Sequence, residues 1–412
     1  MKFGVIGEHL KHSFSKEIHE KIADYSYVVK EIEPNKLGSF LTEADFCGIN
    51  VTIPYKEKVI PYLYNISDTA KKIGAINTVV NKDGKLYGYN TDYMGMRSLI
   101  LRNGIDLKGK KALVLGNGGT AKTGYHVLSD LGAKEVLLVG RNPDFCDVLY
   151  GDVAKFHSDA EFILNTTPVG MFPKNEGKII DISLFPKLSG LIDAVYNPLR
   201  TNLVLDALEK GIKAEAGLYM LVSQAVYASE FFMDTTYDLS VCENVFKDIL
   251  KEKENIVLVG MPSSGKTTVG KRLAMITGKE FVDTDDEIVK RIGLDIPSYF
   301  AKFGEAEFRK VESEVIYDIG KKNGMIISTG GGAVLKSENV RCLRQNGRIY
   351  FLNRSLDLLI PTKSRPLSSD IDALKKRFDE RYDIYVSSAD VAVEANGTVN
   401  EVADKIKEEF YK

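Results

Sequence analysis

The chain has 412 residues, 44% apolar and 27% charged, with a formal net charge of −2 at pH 7. That length predicts two or three domains, each with its own core. The near-neutral charge excludes a strongly basic nucleic-acid binder, so anionic ligands must be met by local positive groups. MKFGVIG at the start reads as a first strand and not as a signal peptide's apolar region. No apolar run approaches the roughly 18 residues of a membrane span. Cys47, Cys146, Cys242 and Cys342 lack C-x-x-C spacing, as expected of reduced thiols in a cytoplasmic protein.

Over residues 1 to 100, Lys2–Ile6, Tyr27–Ile32 and Phe46–Val51 read as strands, and Ser15–Ala23 and Asn35–Leu41 as helices. This alternation is an α/β unit. Polar clusters stand at its strand ends: His12 to Ser15, Asn50 to Lys56, Gly74 to Thr78 and Gly88 to Asp92. In an open α/β sheet, ligands sit at the carboxyl ends of strands. Clusters rich in Ser, Thr, Asn, Lys and Asp suit a small polyhydroxylated acid, with Lys56 and Asp92 as a proton-transfer pair. Taken singly, the clusters also read as turns and caps, Ser15 as a helix N-cap, and Lys56 with Asp92 as a surface ion pair.

Residues 110 to 215 form a second α/β unit. Strand Lys111–Leu115 runs into Gly116-Asn117-Gly118-Gly119-Thr120-Ala121 and then a helical stretch to Leu131. This is the G-x-G-x-x-A dinucleotide turn in its strand–turn–helix context. The next strand, Glu135–Val139, ends at Gly140-Arg141-Asn142, where a NAD site would place an acidic residue; Arg141 suits a 2′-phosphate and points to NADP. Further strand ends lie at Asn165–Met171 and Asp193–Leu199. Helix Leu218–Phe232 is largely apolar and carries Gln224, which needs a partner if buried. From Thr236 to Glu254 the chain turns mixed-charge and helical, a short linker without a Pro/Gly/Ser tether.

The strongest local signal is Asn255–Gly270. An apolar strand feeds Gly260, four spacers, then Gly265-Lys266-Thr267, matching G-x-x-x-x-G-K-[ST]. Backbone N–H groups of such a loop wrap phosphate oxygens, Lys266 adds a point charge, and Thr267 offers a hydroxyl to Mg²⁺. Beyond it come a strand ending at Asp283-Thr284-Asp285, a helix opening at Phe303 and carrying Glu305, Arg309 and Glu312, and Thr329-Gly330-Gly331-Gly332. A basic segment, Thr362–Leu367, precedes Arg377 and Arg381, which lie on one helix face at i, i+4. Thr398-x-x-Glu401 is a capping box, with Val402, Ile406 and Phe410 as a core stripe.

Residues 1 to about 245 resemble shikimate dehydrogenase, through N-V-T-x-P-x-K (Asn50–Lys56), N-T-D (Asn90–Asp92), the glycine turn, N-T-T-P-x-G-M (Asn165–Met171), D-x-x-Y-N-P (Asp193–Pro198) and the Gln224 helix. The resemblance implies that Ser13 and Ser15 bind the substrate carboxylate, and that Asn50, Thr52, Asn77, Asp92 and Gln224 hold the rest of the ring. It further implies that Tyr196 lines the site and Lys56 and Asp92 are the acid/base pair. Gly116, Gly118, Gly119, Thr120, Ala121, Arg141, Thr166 and Met171 would hold NADPH. The chain departs from that family at His9, where a proline is usual, and at Tyr93, where glycine is usual.

Residues 255–412 resemble shikimate kinase through the phosphate loop, D-x-D, G-E-x-x-F-R, T-G-G-G and R-P-L. Carried over, Gly260, Ser263, Gly265, Lys266, Thr267 and Thr268 bind ATP, and Thr267 and Asp283 serve Mg²⁺. Asp285, Arg309, Gly331 and Arg381 hold shikimate, Asp285 takes the hydroxyl proton, and Arg365 is the lid arginine. Asp383 replaces a usual proline, and the lid segment is short.

The expected architecture is thus α/β throughout: a substrate domain over 1–100 completed by a helix near 217–245, a Rossmann NADP domain over 101–216, a linker over 246–254, and a P-loop kinase domain with a parallel sheet over 255–412. The expected function is reduction of 3-dehydroshikimate with NADPH and phosphorylation of shikimate with MgATP. Small molecules are the expected partners, with neither nucleic acid nor membrane, in a monomer or a homodimer. Two other readings stay open from sequence: an NAD-using quinate/shikimate oxidoreductase fused to a kinase, and a chain in which one half only binds.

Overall fold

The computed structural model describes residues 2–10, 14–359 and 371–412. They divide into two compact units, Met1–Ile249 and Leu250–Lys412.

The first unit holds two six-stranded sheets. The first comprises β1 (Phe3–Gly7), β2 (Tyr27–Glu31), β3 (Gly48–Val51), β4 (Asn65–Ile66), β5 (Thr78–Lys82) and β6 (Lys85–Tyr89) in the order β2-β1-β3-β5-β6-β4. β1, β2 and β3 run parallel, whereas β5 is antiparallel to β3 and β6. The β5–β6 hairpin turns at Asp83-Gly84, both with positive φ (52° and 80°), as a two-residue primed turn requires. The helix expected at Asn35–Leu41 is a 3₁₀ turn, Pro34–Lys36, leading into an α-helix, Leu37–Glu43. Pro34 opens the turn, where its missing N–H leaves no bond unmade.

The second sheet comprises β7 (Lys111–Leu115), β8 (Glu135–Gly140), β9 (Val148–Leu149), β10 (Phe162–Asn165), β11 (Gly190–Asp193) and β12 (Lys213–Ala216), all parallel, in the order β12-β11-β10-β7-β8-β9. Strand order reverses between β10 and β7, and the crevice at their carboxyl ends is where a doubly wound sheet takes a dinucleotide. Helix Leu218–Met233 then packs on helices Thr91–Arg102 and Ser15–Ile22.

The residues expected as a linker, 246–254, lie almost wholly inside one helix, Leu239–Lys253. Its last turn belongs to the second unit: Lys279 Nζ donates to the carbonyls of Lys251, Glu252 and Glu254 at 2.7, 3.0 and 3.1 Å, and Lys251 Nζ to Tyr411 O at 2.7 Å. These bonds meet carbonyls that a helix end leaves without partners.

The second unit is built on β13 (Asn255–Val259), β14 (Glu280–Asp283), β15 (Met325–Ser328), β16 (Gly347–Asn353) and β17 (Val391–Glu394), all parallel, in the order β14-β15-β13-β16-β17. Apolar clusters cover both faces, so the inner strands β13 and β15 are buried along their whole length. The helix expected to open at Phe303 starts earlier, at Ile296, capped by Asp295, and breaks at Gly304 (φ 81°, ψ 169°), a conformation reserved for glycine. The break sets Glu305 and Arg309 at the start of the second helical run. The capping box at Thr398 and Glu401 is present, and Val402, Ile406 and Phe410 are buried as expected.

Candidate active sites

In the first unit, Lys56 follows β3 and Asp92 stands in the first turn of helix Thr91–Arg102, whose N-cap Asn90 accepts from Tyr93 N at 3.0 Å. The helix N-terminus favours a carboxylate at that position. Lys56 Nζ donates to Asp92 Oδ2 at 2.6 Å, with the side chains 14% and 11% exposed. This is no surface ion pair. Both line a cavity of ≈ 270 Å³ together with Thr52, Thr120, Thr166, Met171, Tyr196 and Gln224. Thr52, Met171 and Tyr196 also face an adjoining chamber of ≈ 700 Å³, whose walls include His9 and Ser15. Ser15 is the first residue of helix Ser15–Ile22 and not its N-cap, which is Phe14. Ser13 and His12 lie outside the described residues.

Two expected substrate ligands are turned inward. Asn50 accepts from Tyr27 OH at 2.6 Å and donates to Asn77 O at 3.3 Å and Thr78 Oγ1 at 3.1 Å, and it lines neither cavity. Its polar atoms are engaged inside the sheet by these partners. Asn77, also absent from both walls, accepts from Thr91 N at 2.6 Å and donates to Thr91 Oγ1 at 3.0 Å and Gln224 Oε1 at 3.4 Å. Gln224 thereby finds the partner its burial demands, donates to Leu221 O at 2.9 Å, and reaches the cavity itself.

The dinucleotide turn lies against this pair. Gly116 (φ 116°) closes on Thr166, whose Oγ1 would be 2.7 Å from a Cβ there. A Cβ on Gly118 would meet nothing of the described residues within 4 Å, leaving the loop open to a ligand. Helix Gly119–Asp130 begins without a side-chain cap, so its first N–H groups are available to a pyrophosphate. The Cβ position of Gly119 is 3.7 Å from Lys56 Cδ, which sets the glycine turn beside the Lys56–Asp92 pair. Thr120, Thr166 and Met171 line the cavity, whereas Ala121 is fully buried and serves helix–sheet packing. Arg141 is exposed just past β8. These residues fit a phosphorylated dinucleotide.

Asp193 and Asn165 were not singled out from sequence, although each is a polar residue closing an apolar strand. Asp193 Oδ1 accepts from Asn165 Nδ2 at 2.9 Å and Val195 N at 3.0 Å, and Oδ2 from Thr201 Oγ1 at 2.7 Å. Asn165 Oδ1 in turn accepts from Thr167 N and Thr167 Oγ1 at 3.0 and 2.7 Å. Full burial pushes the Asp193 carboxyl up to about 7, against the pull of those donors. The group welds the loops that present Thr166, Met171 and Tyr196.

In the second unit, the phosphate loop joins β13 to helix Lys266–Thr277, which starts at Gly265 without a side-chain cap. Ser263 sits in that loop at φ 66°, and Thr268 is exposed on the first helical turn. Lys266 Nζ donates to Gly260 O and Met261 O at 2.8 and 2.9 Å, holding its charge inside the loop. Thr267 Oγ1 donates to Asp283 Oδ2 at 2.7 Å, while Asp283 Oδ1 caps helix Thr284–Ile292 through Asp285 N at 3.0 Å. Asp283 therefore serves as cap and hydroxyl partner at once. One hydroxyl and one carboxylate fit Mg²⁺, which completes its shell with waters and phosphate oxygens.

Beside the loop lies a cavity of ≈ 570 Å³ lined by Asp285, Arg309, Glu312, Gly330, Gly331, Gly332, Arg377 and Arg381, among others. Arg309 pairs with Glu312 at 2.7 Å and Glu305 at 3.0 Å, and Arg381 Nη1 donates to Gly331 O at 3.1 Å. The Glu312 side chain is 1% exposed. Burial raises its carboxyl above the usual range, the Asp285 charge adds to this, and Arg309 opposes it. Glu312 was recognised from sequence only as part of the helix; its spacing i, i+3 from Arg309 was the available signal. Arg365 lies outside the described residues.

Comparison with known proteins identifies a family for each unit. Residues 5–79 match the shikimate dehydrogenase substrate binding domain, and residues 262–411 match shikimate kinase. The shikimate dehydrogenase (NADP(+)) of Clostridium perfringens (strain SM101) is 39% identical over 265 residues, covering 60% of this chain and 97% of that protein. The crystal structure of shikimate dehydrogenase 1 from Peptoclostridium difficile is 34% identical with a TM-score of 0.57, covering 60% of this chain and 98% of that one. The Thermus thermophilus shikimate 5-dehydrogenase, solved in complex with NADP(H) and shikimate, is 29% identical with a TM-score of 0.54, covering 60% and 99%.

Proposed function

The chain belongs to the shikimate dehydrogenase family over its N-terminal 60% and carries a shikimate kinase domain behind it, and from that premise we propose how its two sites act. It is a bifunctional shikimate-pathway enzyme that reduces 3-dehydroshikimate to shikimate with NADPH and phosphorylates shikimate at its 3-hydroxyl with MgATP. The observation that carries the reading is the Lys56–Asp92 pair, shielded from solvent in a cavity that abuts the dinucleotide turn.

NADPH, bound at the β7/β10 crevice, supplies the hydride. Lys56 places its ammonium against the ketone oxygen, neutralises the charge that develops there and donates the proton. Asp92 orients Lys56 through the 2.6 Å bond. Thr52, Gln224 and Tyr196 position the ring, and Ser15, with Ser13, receives the carboxylate on the chamber side. Arg141 engages the 2′-phosphate.

In the second unit, MgATP supplies the phosphoryl group. Thr267 and Asp283 would hold the metal, and Lys266, now on the carbonyls of Gly260 and Met261, would supply positive charge to the phosphates. Asp285 accepts the hydroxyl proton, while Arg309, Arg381 and the Gly331 loop hold shikimate, with Arg365 covering the transferred group. This is positioning and charge neutralisation, as phosphoryl transfer requires. Each cavity lies within one unit, so a monomer suffices and a homodimer is equally compatible. The reading needs neither nucleic acid nor membrane, and no helix among the described residues is long and apolar enough to cross one. Its four cysteines, all among the described residues, form no disulfide, which supports a cytoplasmic location.

The test is a single-pot assay with 3-dehydroshikimate, NADPH and MgATP, following NADPH loss and ADP formation together. Matching NADPH loss and ADP formation is expected. Lys56→Ala should abolish the first activity alone and Lys266→Ala the second alone, each by roughly 10²-fold or more. NADPH loss without ADP, even with shikimate supplied directly, would overturn the kinase assignment.

A further inference from the structure

The kinase cavity is polarised along three consecutive glycines. A Cβ on Gly330 would stand 2.6 Å from Asp285 Oδ1 and 3.0 Å from Glu312 Oε1. The next carbonyl, Gly331 O, accepts from Arg381. A Cβ on Gly332 would overlap the Arg309 guanidinium. Within three residues the wall thus passes from carboxylates to guanidinium groups. A hydroxy acid suits such a wall in one orientation, hydroxyl towards Asp285 and carboxylate towards the arginines.

Arg377 stands one helical turn before Arg381 on helix Ile371–Ser388, and both line this cavity. Like charges four residues apart on a helix repel, so two arginines facing one space need a reason. Burial, then the Arg381 charge, draw the Arg377 guanidinium below its usual value; Glu305 and Glu380 oppose this, and Arg309 adds to it. Arg309 already pairs with Glu305 and Glu312, and Arg381 donates to a carbonyl. An anion set among these side chains converts their mutual repulsion into shared attraction, and a planar carboxylate offers an oxygen to each of two guanidinium groups.

We propose that Arg377 is a second carboxylate-binding residue of the kinase site, acting beside Arg381 on the substrate's acid group and setting selectivity for the acid over neutral analogues. This rests on the kinase assignment above and adds a ligand to it. The carboxylate is held from one helix at two points a turn apart, which fixes the ring's rotation as well as its place.

The test uses the full chain with shikimate and MgATP, comparing wild type, Arg377→Gln and Arg377→Lys on shikimate and on its methyl ester. Arg377→Gln should raise KM for shikimate roughly tenfold or more, the range for a charge-assisted hydrogen bond. It should leave kcat and KM for ATP within about twofold, and Arg377→Lys should recover part of the loss. On the methyl ester, wild type and Arg377→Gln should give the same KM. An unchanged KM for shikimate overturns the proposal, as does an equal rise for acid and ester, which would mark a structural role. If the wild type phosphorylates neither compound, the kinase assignment itself fails, a result separable from the failure of Arg377.

Discussion

His19 makes the first unit acid-labile in a way that can be worked out in advance. It is 0% exposed on helix Ser15–Ile22, stacked on Tyr27 with ring centroids 3.9 Å apart and planes 6° from parallel. Its Nδ1 lies 2.6 Å from Tyr25 OH. Burial lowers its pKa from 6.5 to about 3, with Asn50 opposing. The folded value lies below the unfolded one, so between pH 6.5 and about 3 the unfolded chain binds a proton here that the folded chain refuses. The stability this contributes is whole above pH 6.5 and drains as pH falls, at about 1.4 kcal/mol per unit. At pH 4.5 the loss is roughly 3 kcal/mol, a large share of the 5–15 kcal/mol of an ordinary domain. His19→Gln removes the titration while giving up the ring stack and the tyrosine bond, about 1–2 kcal/mol at pH 7.5. The wild type should therefore be the more stable at pH 7.5 and the less stable at pH 4.5. Hydrogen exchange in graded urea, read on peptides covering residues 14–31, measures this within the first unit. All five histidines, at 9, 12, 19, 126 and 157, precede the second unit, so peptides of the kinase sheet serve as an internal control. A wild-type-to-variant difference that stays the same at both pH values would refute the reasoning.

Two further substitutions probe the ligand sites. Arg141→Ala should raise KM for NADPH roughly tenfold or more while changing KM for NADH little, since only the former carries the 2′-phosphate that a guanidinium would hold; equal effects on both cofactors would remove Arg141 from that role. Gly332→Ala places a methyl group where the Arg309 guanidinium lies, at a backbone conformation (φ −106°, ψ −3°) that alanine adopts freely. The arginine must withdraw, so KM for shikimate should rise about tenfold while NADPH-dependent reduction in the same preparation is unchanged, and steady-state kinetics of the two activities decide it.

The architecture was legible in the sequence where strands are buried and parallel. β1, β7 and β13 are apolar runs that end in a glycine turn or a polar cluster, and in such sheets the carboxyl end is where the chain must leave the core and meet ligand. The hairpin β5–β6 was not read, although Asp83-Gly84 between apolar strands carried the signal. The helix break at Gly304 was hidden for a different reason: a glycine beside Phe303 and Glu305 looks like a tolerated helical residue until its φ of 81° is seen.

What sequence could not supply is the direction in which a polar residue at a strand end spends its hydrogen bonds. Asn50 and Lys56 stand six positions apart in one motif. Yet Asn50 is consumed by Tyr27 and Thr78, 23 and 28 residues away, while Lys56 meets Asp92, 36 residues away, at a cavity wall. Asp92, in the first turn of a helix, and Asp193, at a strand end, make the same contrast between two aspartates. Asp193 is enclosed by three donors from fixed groups, and burial lifts its carboxyl to about 7 in spite of them. Asp92 has one flexible cation for a partner and open space beside it. A carboxylate whose partner can turn towards a ligand is free to serve a site, and one whose partners cannot is a fastening. That distinction lies in long-range pairings, which residue type and spacing do not encode, and the structure supplies it for Asn50, Asn77 and Asp193 alike.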